Sequence, residues 1–173
     1  MNIRHFSVFL VILVAVLSRL IPHPPNFTPI IAMGLFSGFY FRDNKSLAIL
    51  LPLAAMFVAD IFIGFYLISL FVYIALALVV FVGLMIPNDG DTTSFGNVLF
   101  GSLAGSVVFF IISNFGVFLI GYPKNISGFI ACYTAAIPFF QTSISADLLF
   151  TTFIFLSYDA IRSSIPQLNP DIA

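Results

Sequence analysis

The chain has 173 residues, of which 61% are hydrophobic and 8% charged, and its formal net charge is −1. A soluble domain carries about 25% charged residues, so this composition excludes one, and the near-neutral balance excludes the basic patch that a nucleic-acid partner would call for. The one cysteine, Cys132, excludes an internal disulfide and a cysteine-rich metal site, and two histidines, His5 and His23, supply a zinc centre very poorly.

The length predicts a single domain, 1–173. A helix needs roughly 20 apolar residues to cross the hydrocarbon core, and the apolar runs predict an all-α, polytopic membrane protein with six transmembrane helices. The first covers 6–21, with Arg4 before it and Arg19 near its end. Its alternative is a cleaved signal peptide ending near Val16-Leu17-Ser18. The connection 22–29 is rich in proline and cannot be regular helix. Thr28 followed by Pro29 is a helix start, with an N-cap and Pro at the first helical position. The second helix runs over 29–41 and is short for a span. A charged turn, 42–46, leads to helices over 47–66 and 67–86, joined by a tight bend near 64–69. The polar turn 87–94 precedes the fifth helix, 96–120. An outer loop segment, 121–142, follows, carrying a short extra helix near 127–136. The sixth helix covers 143–162, and the rest is a tail.

Lys and Arg in short loops set the orientation. With both termini cytoplasmic, Arg4, Arg42, Lys45 and Arg162 lie inside and Arg19 and Lys124 outside, four against two. The expected location is the inner (plasma) membrane. That orientation gathers Arg19, His23, Asn26, Asp60, Asn114, Tyr122, Tyr133, Gln141 and Asp147 in the outer half. Polar groups within spans usually face a cavity or a partner, so their convergence predicts a substrate pocket open to the outside.

Each residue has a structural alternative. Asp60 contacts a ligand or cation, pairs with Arg19, or relays a proton. Asp147 caps the sixth helix or, with Thr151 and Tyr158 at helical spacing, forms an inward polar stripe. Ser102, Ser106 and Ser113 form a second stripe on the fifth helix, with Asn114 beside it. Ser102 and Ser106 read as packing residues, Asn114 as a site residue. Tyr122 and Tyr133 anchor at the interface or stack on a ring-shaped ligand. His23 is a surface residue or a ligand contact. Cys132 packs or, less simply, ligates a metal such as that of a corrinoid. Gly34xxxGly38 and Gly101xxxGly105 permit close helix contact. No P-loop, HExxH or GxSxG motif occurs, so neither an ATPase nor another enzyme is expected, and no cofactor or resident metal is predicted.

The segments SRLIPHPPNFTPI (18–30), LLPLAAMFVADIFIGFY (50–66) and SNFGVFLIGYP…GFIACYTAAIPFF…ADLLF (113–150) resemble a family of uncharacterised bacterial integral membrane proteins. That family is similar to the substrate-binding S components of energy-coupling factor transporters. The resemblance implies a six-helix fold with a pocket near the extracellular face and capture of a vitamin-like micronutrient. It also implies a transmembrane coupling subunit and cytoplasmic ATPases as partners. S components often carry Ala-xxx-Ala on the first helix; here that helix has Ala15 alone, and Ala55 and Ala59 give the spacing on the third.

Three functions follow. The first is substrate capture, with Asp60, Asn114 and Asp147 orienting a ligand under the 121–142 segment. The second is an envelope scaffold or assembly protein, which needs a packed outer half with Asp60 paired to Arg19. The third is an intramembrane enzyme using the Asp60/Asp147 pair.

Overall fold

The computed structural model describes residues 26–88 and 93–164, together with Leu10, Leu13 and Pro24. The expected first helix over 6–21 falls almost wholly outside the described residues, and Arg19 and His23 lie outside them. The described residues form five helices and no strand: α1 (Ile30–Tyr40), α2 (Lys45–Ile63), α3 (Ser69–Met85), α4 (Phe95–Gly121) and α5 (Ile126–Ser164).

α2, α4 and α5 are long and apolar enough to cross a membrane, and α1 and α3 are shorter apolar helices. The exterior is apolar as well. Phe57 and Ile61 on α2, Phe100, Leu103 and Val107 on α4, and Leu149, Phe153 and Leu156 on α5 are all exposed at helical spacing. A helix of a soluble protein turns charged and polar residues outward; these faces suit lipid.

Local chemistry sets the helix ends. The Asn44 side chain accepts from the Leu47 amide at 3.0 Å and starts α2. Ser94 does the same for the Asn97 amide at 3.3 Å and starts α4. α2 stops at Ile63 because Gly64 takes φ 105°, a backbone state that a side chain disfavours. That stop is the predicted bend at 64–69.

α1 is the hub. All 11 of its residues are buried, and it packs on each of the other four helices. Its glycines make this possible. A Cβ on Gly38 would run into the Val80 carbonyl oxygen, and one on Gly83 into that of Leu35, so the backbones of α1 and α3 touch. Gly101 likewise admits the Ile86 side chain and Gly105 that of Ile31. Both glycine pairs expected to allow close packing therefore sit at helix contacts.

Below α1 the bundle is closed by aromatic rings. Phe36, Phe39 and Tyr40 of α1 meet Phe155 and Tyr158 of α5 with ring centroids 4.4 to 5.9 Å apart. Tyr40 Oη donates to Asp159 Oδ1 at 3.0 Å, and Ser37 Oγ to the Ala48 carbonyl at 2.8 Å. Arg42 closes the corner, donating to the carbonyls of Phe39 and Ile86 at 3.0 and 3.2 Å.

One boundary is corrected. The outer loop at 121–142, its short extra helix and the separate helix at 143–162 are replaced by a turn at 122–125 and one 39-residue helix, α5. Pro138 does not end it. At about 1.5 Å per residue α5 is about 58 Å long. The turn itself is held by Lys124 Nζ, which donates to the carbonyls of Phe118 and Tyr122 at the end of α4.

Candidate functional site

α4 and α5 run antiparallel but not in step. Near the turn, Cys132 Sγ lies 3.6 Å from the Asn114 carbonyl oxygen. Deeper in the bundle, Ser106 Oγ lies 2.7 Å from Asp147 Oδ2. Between these contacts α4 advances eight residues, about 12 Å, and α5 fifteen, about 22 Å. The surplus of roughly two turns has to be taken up along this part of α5, where Tyr133 and Phe140 still reach α4 and where Pro138 lies near the middle. Proline removes one helix hydrogen bond and crowds the preceding turn, which makes it the usual place for a helix to bend.

A cavity of about 570 Å³ occupies the space so opened. α4 contributes Ser106, Phe109, Phe110, Ser113, Asn114 and Val117; α5 contributes Cys132, Ala135, Ala136, Phe139, Phe140, Ser143 and Asp147. The opposite side is formed by Asn26, Thr28, Ile30 and Ile31 at the start of α1, by Ile68 and Val72 at the start of α3, and by Tyr122. The volume and the mix of apolar wall with few polar groups are those of small-molecule sites.

Asp147 is 2% exposed. It lies well inside α5 and does not cap a helix. Asp147, Thr151 and Tyr158 all point inward and are buried, as their spacing predicted. The stripe meets its counterpart on α4, with Thr151 3.3 Å from Ser102 and Asp147 bonded by Ser106. Ser113 and Asn114 return their donors to their own helix, at the carbonyls of Phe109 and Phe110, 2.7 and 2.8 Å away.

Of the sequence candidates, Asn26, Asn114, Tyr122 and Asp147 line one cavity. Asn26 also has φ 61°, a conformation asparagine tolerates better than most residues, so its identity has a backbone reason too. Tyr133 is not in the lining. Its hydroxyl donates to the Ile111 carbonyl at 2.8 Å, and its ring packs on Phe129 and Phe110, so it joins α5 to α4. Asp60 is also outside the lining; it is buried, and its Oδ2 accepts from Tyr73 Oη at 2.8 Å. Asp60 and Asp147 thus have different partners on different helices. Cys132 is buried and lines the cavity. Among the described residues no cluster of three or more His, Cys, Asp or Glu could hold a metal ion.

Sequence reasoning placed Phe139 and Phe140 in the 121–142 segment over the site but missed Phe109 and Phe110 on the facing helix, and it favoured packing for Ser106. The signal for Ser106 was the second polar stripe. With 23 Phe in the chain, no single phenylalanine stood out.

A family model matches residues 1–168, and the chain belongs to that family, DUF6580, described as a family of unknown function. No curated protein and no solved structure matches the chain.

Proposed function

We propose that this member of DUF6580 is an integral membrane protein that captures a small organic molecule in the cavity between α1, α3, α4 and α5. One observation carries the reading: an aromatic-walled space of about 570 Å³ that contains a buried carboxylate, Asp147. An open space of this kind favours capture over the scaffold reading, which needs that end solidly packed. In the fuller form of the proposal the chain has six spans and cytoplasmic termini, the cavity faces outward, and the compound is a vitamin-like micronutrient. A coupling subunit and cytoplasmic ATPases then drive its uptake. The likeness to S components supports that form, and so does the alternation of ends. The turn at 42–44 and the Ile86 region share one end through Arg42, while Asn26, Ile68 and Tyr122 share the other around the cavity.

The test is native mass spectrometry of the full chain extracted from its own membrane. The expected result is one bound small compound, with ATPase subunits in the same complex. Asn114→Ala should weaken retention of that compound about tenfold, while Asp60→Ala, away from the lining, leaves it unchanged. A protein that carries no compound from its native membrane overturns capture; a compound without ATPases overturns only the energy-coupled form.

A further inference from the structure

The hydrogen-bonding inventory of the cavity goes one step beyond capture and rests on it. Several polar side chains on the α4–α5 wall have donors already committed. The hydroxyl proton of Ser113 goes to Phe109 and one N–H of the Asn114 amide goes to Phe110, while the second Asn114 N–H and the Ser143 hydroxyl stay uncommitted among the described residues. Ser106 has one hydroxyl proton and two acceptors within reach, the Ser102 carbonyl at 2.9 Å and Asp147 Oδ2 at 2.7 Å. This wall therefore offers more acceptor than donor capacity: Ser113 Oγ, Ser143 Oγ, Asn114 Oδ1 and the Asp147 carboxyl against the Ser143 hydroxyl and one Asn114 N–H.

Charge points the same way. Asp147 is buried, its Oδ1 makes no hydrogen bond among the described residues, and no Lys, Arg or His is among the described residues lining the cavity. A buried carboxyl is normally paired with a charge, fully hydrogen-bonded or protonated; a single serine proton supplies neither of the first two, and a bound cation would hold the group in its ionised form. The start of α1 works in the opposite sense. Its first turn has no side-chain cap, and Ile30 and Ile31 border the cavity. A helix N-terminus amounts to about half a positive charge, which is less than one carboxylate. The described lining keeps a net preference for positive charge.

We infer that the captured molecule is an organic cation with a flat ring: an ammonium or protonated nitrogen group against Asp147, and the ring against the aromatic wall of Phe109, Phe139 and the Phe110–Phe140 pair, whose own centroids are 4.3 Å apart. The same inventory disfavours carboxylates and phosphates, which would meet Asp147 with no basic residue among the described lining to offset it. Tyr122, Thr28 and Asn26, on the other side of the cavity, keep hydroxyl and amide donors for an uncharged acceptor at the far end of the molecule.

The test uses the full-length protein in detergent and two matched sets of probes that differ in charge alone. One set is tryptamine, tryptophol and indole-3-acetate; the other is phenethylamine, 2-phenylethanol and phenylacetate. Binding is read at millimolar probe concentrations from the shift in thermal unfolding and from quenching of tyrosine fluorescence. The ammonium member of at least one set should bind tenfold or more tightly than its alcohol and carboxylate partners. Asp147→Asn should abolish that preference without abolishing binding of the alcohol. If this variant does not fold, the rank order in the wild-type protein decides alone. A carboxylate or alcohol binding as well as its amine overturns the cation assignment and leaves capture standing. No binding by any member of either set likewise overturns the assignment of an aromatic cation, and capture is then decided by the compound carried from the native membrane.

Discussion

The two ends of this bundle are built from the same helices and have opposite interiors. At one end α1, α3 and α5 meet in backbone contact and stacked rings, with Tyr158, Phe36 and Phe39 each under 3% exposed. At the other, α4 and α5 part and leave a cavity. The comparison teaches where stability resides. Without a hydrophobic driving force between helices in lipid, association rests on packing and interhelical hydrogen bonds. The closed end supplies both, and so leaves the open end free to be hollow.

The comparison can be broken at the closed end first. Tyr158→Ala removes a ring that touches Phe36 and Tyr40 and should destabilise the fold by about 4 kcal/mol, the range for deleting a buried aromatic. A drop in the detergent unfolding midpoint of under a few degrees would mean that the aromatic cluster does not hold the bundle. Gly83→Ala comes next. Its methyl has nowhere to go but the Leu35 backbone, and about 2 to 3 kcal/mol of overpacking is expected, with α1 and α3 forced apart. Cysteine cross-linking between these helices would report the separation.

At the open end the same size of change should leave stability alone. Pro138→Ala restores a helix hydrogen bond, so the unfolding midpoint should hold or rise. If the proline shapes the stand-off between α4 and α5, retention of the bound compound should fall about tenfold or more. Unchanged retention would assign the stand-off to something other than Pro138. The smallest effect is expected at Ser113→Ala. Ser113 is half-buried, bonds its own helix and offers one acceptor oxygen, so about 1 kcal/mol of binding is at stake and almost no stability.

These differences explain what was legible in the sequence. Helix existence was written in apolar runs and in the breaks at Asn44, Gly64 and Ser94, each with a local physical cause. The end of α4 was legible close to Gly121, but the loop expected after it, 121–142, is a turn at 122–125. Pro138 was misleading. In water a proline inside a helix usually ends it, but in lipid neighbouring helices stabilise the broken turn, and α5 continues to Ser164. That misreading turned Asp147 into a candidate cap and most of α5's share of the cavity wall into a loop. The site was half legible for a related reason. Asn114 and Asp147 stood out as polar residues in apolar runs, and so did Asp60, but sequence carries no sign of which buried carboxylate bonds to Tyr73 and which borders a cavity. Tyr122 and Tyr133 looked alike for the same reason, and only one lines the space.

The short α1 has a further consequence. Its 11 residues rise about 16 Å, roughly half the hydrocarbon thickness, and its uncapped first turn ends inside the protein. Peptide N–H groups at such a depth have no lipid partner and require hydration. The cavity above them is polar and roomy enough to hold several water molecules when nothing else is bound. On the proposed reading, capture is an exchange reaction, in which a molecule is retained only insofar as it replaces the bonds of the water it expels. Selectivity against compounds of the right shape but the wrong polarity follows from that exchange, without any lid.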